Sequence, residues 1–327
     1  MRVQFQALFA ASAITFIAGC SSGPMVAPEK FDSARSLGMH RWNSSIALHF
    51  KSKYTCPATG AIEYFSDYKN NVINVFAGKF AGQSPCGMIT AVSNPQGLFV
   101  DASTHDLYVA NTGKRNVVVF HRGQLTPYNT YADPTLPFTY EVALAKDGTV
   151  IASNVLGPYG GSLSTWIGGP NGGTFVGTFP MTNVKYGYYV VVNHNDLVYY
   201  NDLDLTSGRG ALWSLRCPHG ACGIQTRIAG VSFNEAGGLA ISRTNDLLAD
   251  DAQPGLAETF ELPNPNPKTF PIDSGSLDMA IDTSNRHWFA LDSQDSDAAE
   301  YLYPSGAFVG RVQCAPGCIA SGIAVDQ

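Results

Sequence analysis

Between Gly97 and Asn111 the chain reads GLFVDASTHDLYVAN. Apolar side chains run up to a polar break at Ser103-Thr104-His105-Asp106, then resume through Leu107-Tyr108-Val109 and stop at Asn111. Apolar runs on both sides of such a break predict two short antiparallel strands joined by a turn. The pattern returns without a gap at Tyr140–Asn154, Gly187–Asn201, Gly237–Asp251 and Asp278–Asp292. A further copy is divided between the chain ends. Its first strand is Gly322–Asp326 and its second is Ile62–Asp67. Starts of successive copies lie about 41 to 50 residues apart.

A two-stranded unit cannot bury both faces alone, so repeats at this spacing predict stacked sheets. The fold class expected is all-β: a six-bladed β-propeller over residues 51–327, closed by pairing of the C-terminal strand with the N-terminal blade. Closure removes exposed sheet edges. Each blade is expected to have four strands. An aromatic marks the third strand at Phe76, Phe120, Trp166, Trp213, Phe260 and Tyr301, where it would fill the wedge between blades. Fourth strands are expected at Thr174–Phe179, Gly223–Ile228, Thr269–Ile272 and Ala307–Val312. Pro263–Pro267 and Gly168–Gly173 read as loops.

Composition narrows the function classes. Charged residues make up 14% of the chain, Gly accounts for 33 residues, and the formal net charge is −6. With no basic block or stripe, nucleic acid is excluded as a partner. There is no P-loop, dinucleotide fingerprint or haem-attachment motif. The formal G-x-S-x-G match, Gly19–Gly23, lies in the leader rather than on a strand-to-helix elbow. His105, His194 and His287 sit at turns between first and second strands, without a convergent cluster for zinc.

Arg2, the apolar run Ala7–Ala18 and Ile17-Ala18-Gly19-Cys20 resemble the signal peptide and lipobox of bacterial lipoproteins. The resemblance implies cleavage after residue 19, lipid on Cys20 and a tether over residues 20–50. The membrane is then a partner through the N-terminal lipid, and the location is the cell envelope. The six other cysteines suit disulfides in an exported chain. Local closure pairs Cys217 with Cys222 and Cys314 with Cys318, leaving Cys56 for Cys86. A zinc site from Cys217, Cys222, Cys314 and Cys318 is the rival reading.

Gly97-Leu98-Phe99-Val100-Asp101 followed by Asp106-Leu107-Tyr108-Val109-Ala110-Asn111 resembles the NHL-type repeat of six-bladed propellers. The same ring carries unrelated functions. Leu144, Val191 and Ile241 replace the first-strand Asp, so those turns need another pin. Six residues end the second strands: Asp67, Asn111, Asn154, Asn201, Asp251 and Asp292. Closing the ring brings them toward the channel mouth, as candidate ligand contacts. Local Asx turns are the leading account of them. The alternative is Ca²⁺, held by Asn154, Asn201, Asp251 and Glu141. Gluconolactonase and senescence-marker enzymes, which have a similar ring, place a metal in this region. Glu235 lies at a comparable position to Glu141. The acidic run Asp292–Asp297 with Glu300 reads as a solvated loop.

The expected function is a non-catalytic binding module. It would meet an envelope protein, or a small-molecule or glycan ligand, through the mouth and the loops Gly157–Gly161, Asp202–Gly210 and Asp251–Ala257. The alternatives are a Ca²⁺-dependent lactonase or lyase and a passive structural envelope protein. No cofactor is expected under the leading reading.

Overall fold

The computed structural model describes residues 53–78, 84–156, 160–168, 172–204, 209–251, 256–261, 264–272, 277–292, 297–313 and 318–326. The leader, Cys20 and the tether lie outside the described residues. So do residues 157–159, 205–208 and 252–255 of the three expected contact loops and residues 293–296 of the acidic run. Among the described residues no helix is long and apolar enough to cross a membrane.

The alternating pattern becomes six antiparallel sheets. Five have four strands each, taken consecutively from the chain. The first holds β5 (Pro95–Asp101), β6 (Asp106–Asn111), β7 (Asn116–Phe120) and β8 (Asn129–Ala132). The next holds β9 (Phe138–Leu144), β10 (Thr149–Leu156), β11 (Ser162–Ile167) and β12 (Thr174–Pro180). Then come β13 (Val184–Val192), β14 (Val198–Asp204), β15 (Gly210–Leu215) and β16 (Thr226–Arg227). The fourth holds β17 (Ala236–Ile241), β18 (Leu247–Asp251), β19 (Leu256–Glu261) and β20 (Asn264–Pro271). The fifth holds β21 (Asp278–Ile281), β22 (His287–Asp292), β23 (Asp297–Leu302) and β24 (Phe308–Gln313).

The remaining sheet is a composite of the two chain ends. From the inside outward it runs β25 (Ala320–Asp326), β2 (Ile62–Asp67), β3 (Val72–Ala77), β4 (Gly87–Ile89) and β1 (Lys53–Tyr54). Ile62 pairs with Asp326, and the ladder continues to Asp67 with Ala320. Six like blades of four strands were expected; the structure has five such blades and this five-stranded composite. The extra strand, β1, adds to the outer edge beside the Cys56–Cys86 disulfide.

Inner strands lie side by side in a ring. β25 contacts β5, β5 contacts β9, and the series runs through β13, β17 and β21 back to β25. This is a β-propeller arrangement. Period-two alternation explains the packing, because strands such as β2 and β6 bury both faces, one against each neighbouring sheet. Ile62 and Tyr64 of β2 face the seam with β5–β8, whereas Phe65 faces the seam with β21–β24. Phe76, Phe120, Trp166, Trp213 and Tyr301 are all buried in such seams. The side chain of Phe260 lies outside the described residues.

Two expected outer strands change length. β16 is only Thr226–Arg227, and single backbone bonds from Gly223 N to Arg216 O and from Ile228 N to Leu212 O flank it. β20 begins at Asn264, so Pro265 and Pro267 lie in a strand rather than a loop. They are tolerated because β20 is an outer edge strand, with a register break between Thr259 and Glu261 opposite. Cys56–Cys86 and Cys217–Cys222 are disulfides as expected. Cys318 is also disulfide-bonded, while Cys314 lies outside the described residues. Such bonds persist in an extracellular or periplasmic compartment.

Candidate functional site

Five of the six inner strands share a defect, β21 being the regular one. In β13, Tyr188 and Tyr189 lie between the pairs Gly187–Asp202 and Val190–Tyr200, so two residues oppose Asn201. Gln96-Gly97 in β5 and Gly237-Gly238 in β17 bulge in the same place. Tyr140 does so in β9, and Ser321 in β25. A bulge leaves backbone groups off the ladder and re-aims neighbouring side chains.

The Asn and Asp residues that end second strands serve these bulges. Asn201 Oδ1 accepts from Tyr189 N at 3.1 Å, and its Nδ2 donates to Gly237 O at 2.6 Å. Asp251 accepts from the backbone N–H groups of Asn234 (2.9 Å) and Glu235 (3.1 Å). Asn111 accepts from Ser93 N at 2.6 Å, and Asp67 from Asn70 N and Ile319 N. All four are buried clamps at the start of an inner strand. Asn154 instead donates to Ser162 Oγ and Ser164 Oγ, leaving Oδ1 without a partner. The Asp292 side chain lies outside the described residues.

The alternative calcium set is in part engaged elsewhere. Asn201 and Asp251 commit their oxygens to backbone donors. Only Asn154 Oδ1 and Glu141 Oε2 lack partners. No group of three His, Cys, Asp or Glu residues among the described residues could hold a metal ion.

A different set converges beside the bulges. Glu141 of β9 is 4% exposed; Oε1 accepts from Val142 N at 2.8 Å and Oε2 has no partner. Its carboxyl lies over Gly97 so closely that a β-carbon there would overlap it. Asp278 of β21 accepts from Met279 N at 2.8 Å and Ile323 N at 2.9 Å. Burial raises both acids well above the usual carboxylate range, and the charge of Asp278 raises Glu141 further. Tyr140 and Tyr189 join hydroxyls at 3.2 Å beside them. Tyr140 meets the rings of Tyr188 and Tyr189 edge-on, with centroids 5.7 and 5.3 Å apart. Glu235, half-buried near Tyr188, is pushed up to about 7 by burial and then by Asp251.

Sequence reasoning found Glu141 and Glu235 but missed Asp278, Gly97 and the tyrosines. A signal was present. The first two positions of the aligned copies read Gly-Leu, Tyr-Glu, Gly-Tyr, Gly-Gly, Asp-Met and Gly-Ile. Acids and tyrosines there depart from a Gly or apolar norm.

The acidic run also needs correction. Asp297 is buried at the start of β23 and pairs with Arg311 at 2.9 Å. Glu300 is buried within β23, with Oε1 2.7 Å from His287 Nδ1. Neither belongs to a solvated loop. On the opposite face of the ring, a cavity of about 180 Å³ lies between Asp147, Asp196, Arg216 and Pro218.

No protein-family model matches this sequence, and no curated protein matches it. Among solved structures, a nidogen/laminin complex aligns with a TM-score of 0.65 at 13% identity, covering 82% of this chain and 99% of that chain. Streptogramin B lyase aligns with a TM-score of 0.57 at 11% identity, covering 84% and 86%. Regucalcin from Agrobacterium tumefaciens, a calcium-binding protein, aligns with a TM-score of 0.52 at 12% identity, covering 70% and 77%. The class is therefore a β-propeller. At these identities the likeness shows the fold alone.

Proposed function

We propose that this chain is an extracytoplasmic propeller, lipid-anchored through Cys20, that acts as a non-catalytic binding module at its channel mouth. The composite sheet counts as the sixth blade of an NHL-like ring. One observation carries the reading: half-buried Tyr140, Tyr186 and Tyr188 present ring surface at the start of the inner strands, beside the half-buried Glu235. Aromatic surface with a few polar groups is the composition of a recognition site. The test is retention of envelope components by the full chain in detergent, compared with Tyr140→Ala/Tyr188→Ala. Equal retention by both would refute the reading. Mass spectrometry of the mature N-terminus tests the anchor; an unmodified Cys20 would remove it.

A second reading is a lactonase or lyase. The buried Glu141, with one oxygen unpartnered and its pKa raised, has the character of a general acid or base. Turnover of a lactone panel that is lost in Glu141→Gln would put the enzyme ahead.

A further inference from the structure

The mouth carries enough chemistry to name a ligand class. Its tyrosines form a continuous wall. Tyr188 links Tyr140 to Tyr186, with ring centroids 5.7 and 6.4 Å apart. Two acids lie along it. Glu141 adjoins Tyr140 in β9, and Glu235 lies near Tyr188. Neither acid has an ion-pair partner among the described residues. Glu141 Oε2 is buried with no hydrogen bond, a costly state for a carboxyl oxygen. Asp251 adds negative potential beside Glu235. The chain itself shows what the wall accepts, because Lys185 Nζ sits 5.1 Å from the centroid of the Tyr186 ring. Aromatic faces attract ammonium groups most strongly where water is excluded.

We propose that the channel mouth binds an organic cation, a primary or quaternary ammonium on a small apolar body. Its charge lies near Glu235 and its body against Tyr188 and Tyr140. This rests on the binding-module reading and narrows it. A neutral sugar could stack on the same rings, but it would bring no charge to Glu235.

Titration calorimetry on the full chain in detergent tests this with choline, tetramethylammonium and cadaverine, and with diacetylchitobiose as a neutral glycan. At least one cation should bind saturably. Glu235→Gln and Tyr188→Ala should each weaken it by about tenfold, while Tyr188→Phe keeps it. Circular dichroism on each variant confirms the fold. No heat from any of the three cations would overturn the proposal, as would cation heats unchanged in both weakening variants. Glycan binding without cation binding would also overturn it, yet leave the binding module standing. Loss of envelope retention in the tyrosine double variant is read separately, so the two ideas can fail independently.

Discussion

Replacing Glu63 by Gln should flatten the alkaline side of the stability curve. Glu63 lies on β2 and is 3% exposed, with Oε2 unpartnered. Glu300 of β23 is 1% exposed, and its charge bears on Glu63 across the seam where the composite sheet meets the last four-stranded one. Burial, and then Glu300, push Glu63 from its ordinary value of 4.5 up to about 9. The folded protein therefore keeps a proton that the unfolded chain releases. That stabilisation is complete below about pH 4.5 and is lost progressively as pH rises toward 9. The ideal slope is about 1.4 kcal/mol per pH unit, or roughly 2.7 kcal/mol between pH 6 and 8. Water penetration and local relaxation reduce this to roughly 1–2 kcal/mol. For a domain of this size that is a Tm change on the order of 2–8 °C. Gln keeps the shape and cannot ionise. Thermal melts of both proteins from pH 5 to 9 should coincide near pH 5 and diverge above it, with Glu63→Gln the more stable at pH 8. All other titrating groups cancel in the difference. Parallel curves across the range would refute the reasoning.

Three further outcomes follow from the same structure. Gly97→Ala should destabilise by about 1–3 kcal/mol, because its methyl overlaps the Glu141 carboxyl; Gly97→Ala/Glu141→Ala should recover part of the loss, and strict additivity in denaturant melts would refute the contact. Asp326→Asn should cost about 2–4 kcal/mol in urea unfolding, since it disrupts contacts with His105 Nδ1 (2.6 Å) and Arg122 Nη1 (2.8 Å) that tie the C-terminal strand to the neighbouring sheet; a change under about 0.5 kcal/mol would show that the latch is not needed. Millimolar Ca²⁺ should leave Tm unchanged, because the clamps on Tyr189, Asn234 and Glu235 occupy the oxygens of Asn201 and Asp251; a rise of several degrees would overturn that assignment.

The ring was legible because one strand–turn–strand unit repeats at the inner side of the sheets. That repeat let β2 and β25 be matched at opposite ends of the chain. Turns were legible for the same local reason. His105, Asp196, Asn245 and Asn285 all take positive φ at the turn between the first two strands. Asn193 and Ser242 supply the pins that Val191 and Ile241 cannot, each accepting from backbone N–H groups of its own turn. Pairings across the ring were not legible. Glu300 next to Glu63, or Glu141 over Gly97, depends on contacts between residues far apart in sequence. No periodicity reports such contacts.

That division explains where function can reside. The repeated Asn and Asp residues are committed to the bulges and to the joins between sheets. Asn201 Nδ2 reaches Gly237 O of the next sheet, Thr112 Oγ1 reaches Thr139 O, and Ser66 Oγ reaches Gln96 O. A donor or acceptor used to hold the ring cannot also bind a ligand without a cost near that of a buried hydrogen bond, about 1–3 kcal/mol. The repeat therefore supplies the frame. Recognition falls to residues that break the repeat at or beside its bulges: Glu141 and the tyrosines at 140 and 188. They occupy sites where most other sheets place Gly or apolar residues. Asp278 departs from the repeat too, but it accepts from Ile323 N of the composite sheet and so belongs to the frame. Substituting Glu141 or the two tyrosines should change binding more than stability, whereas substituting Asn201 or Asp251 should do the reverse. A Tm loss for Tyr188→Ala as large as that for Asn201→Ala would mean that the tyrosine wall belongs to the frame after all.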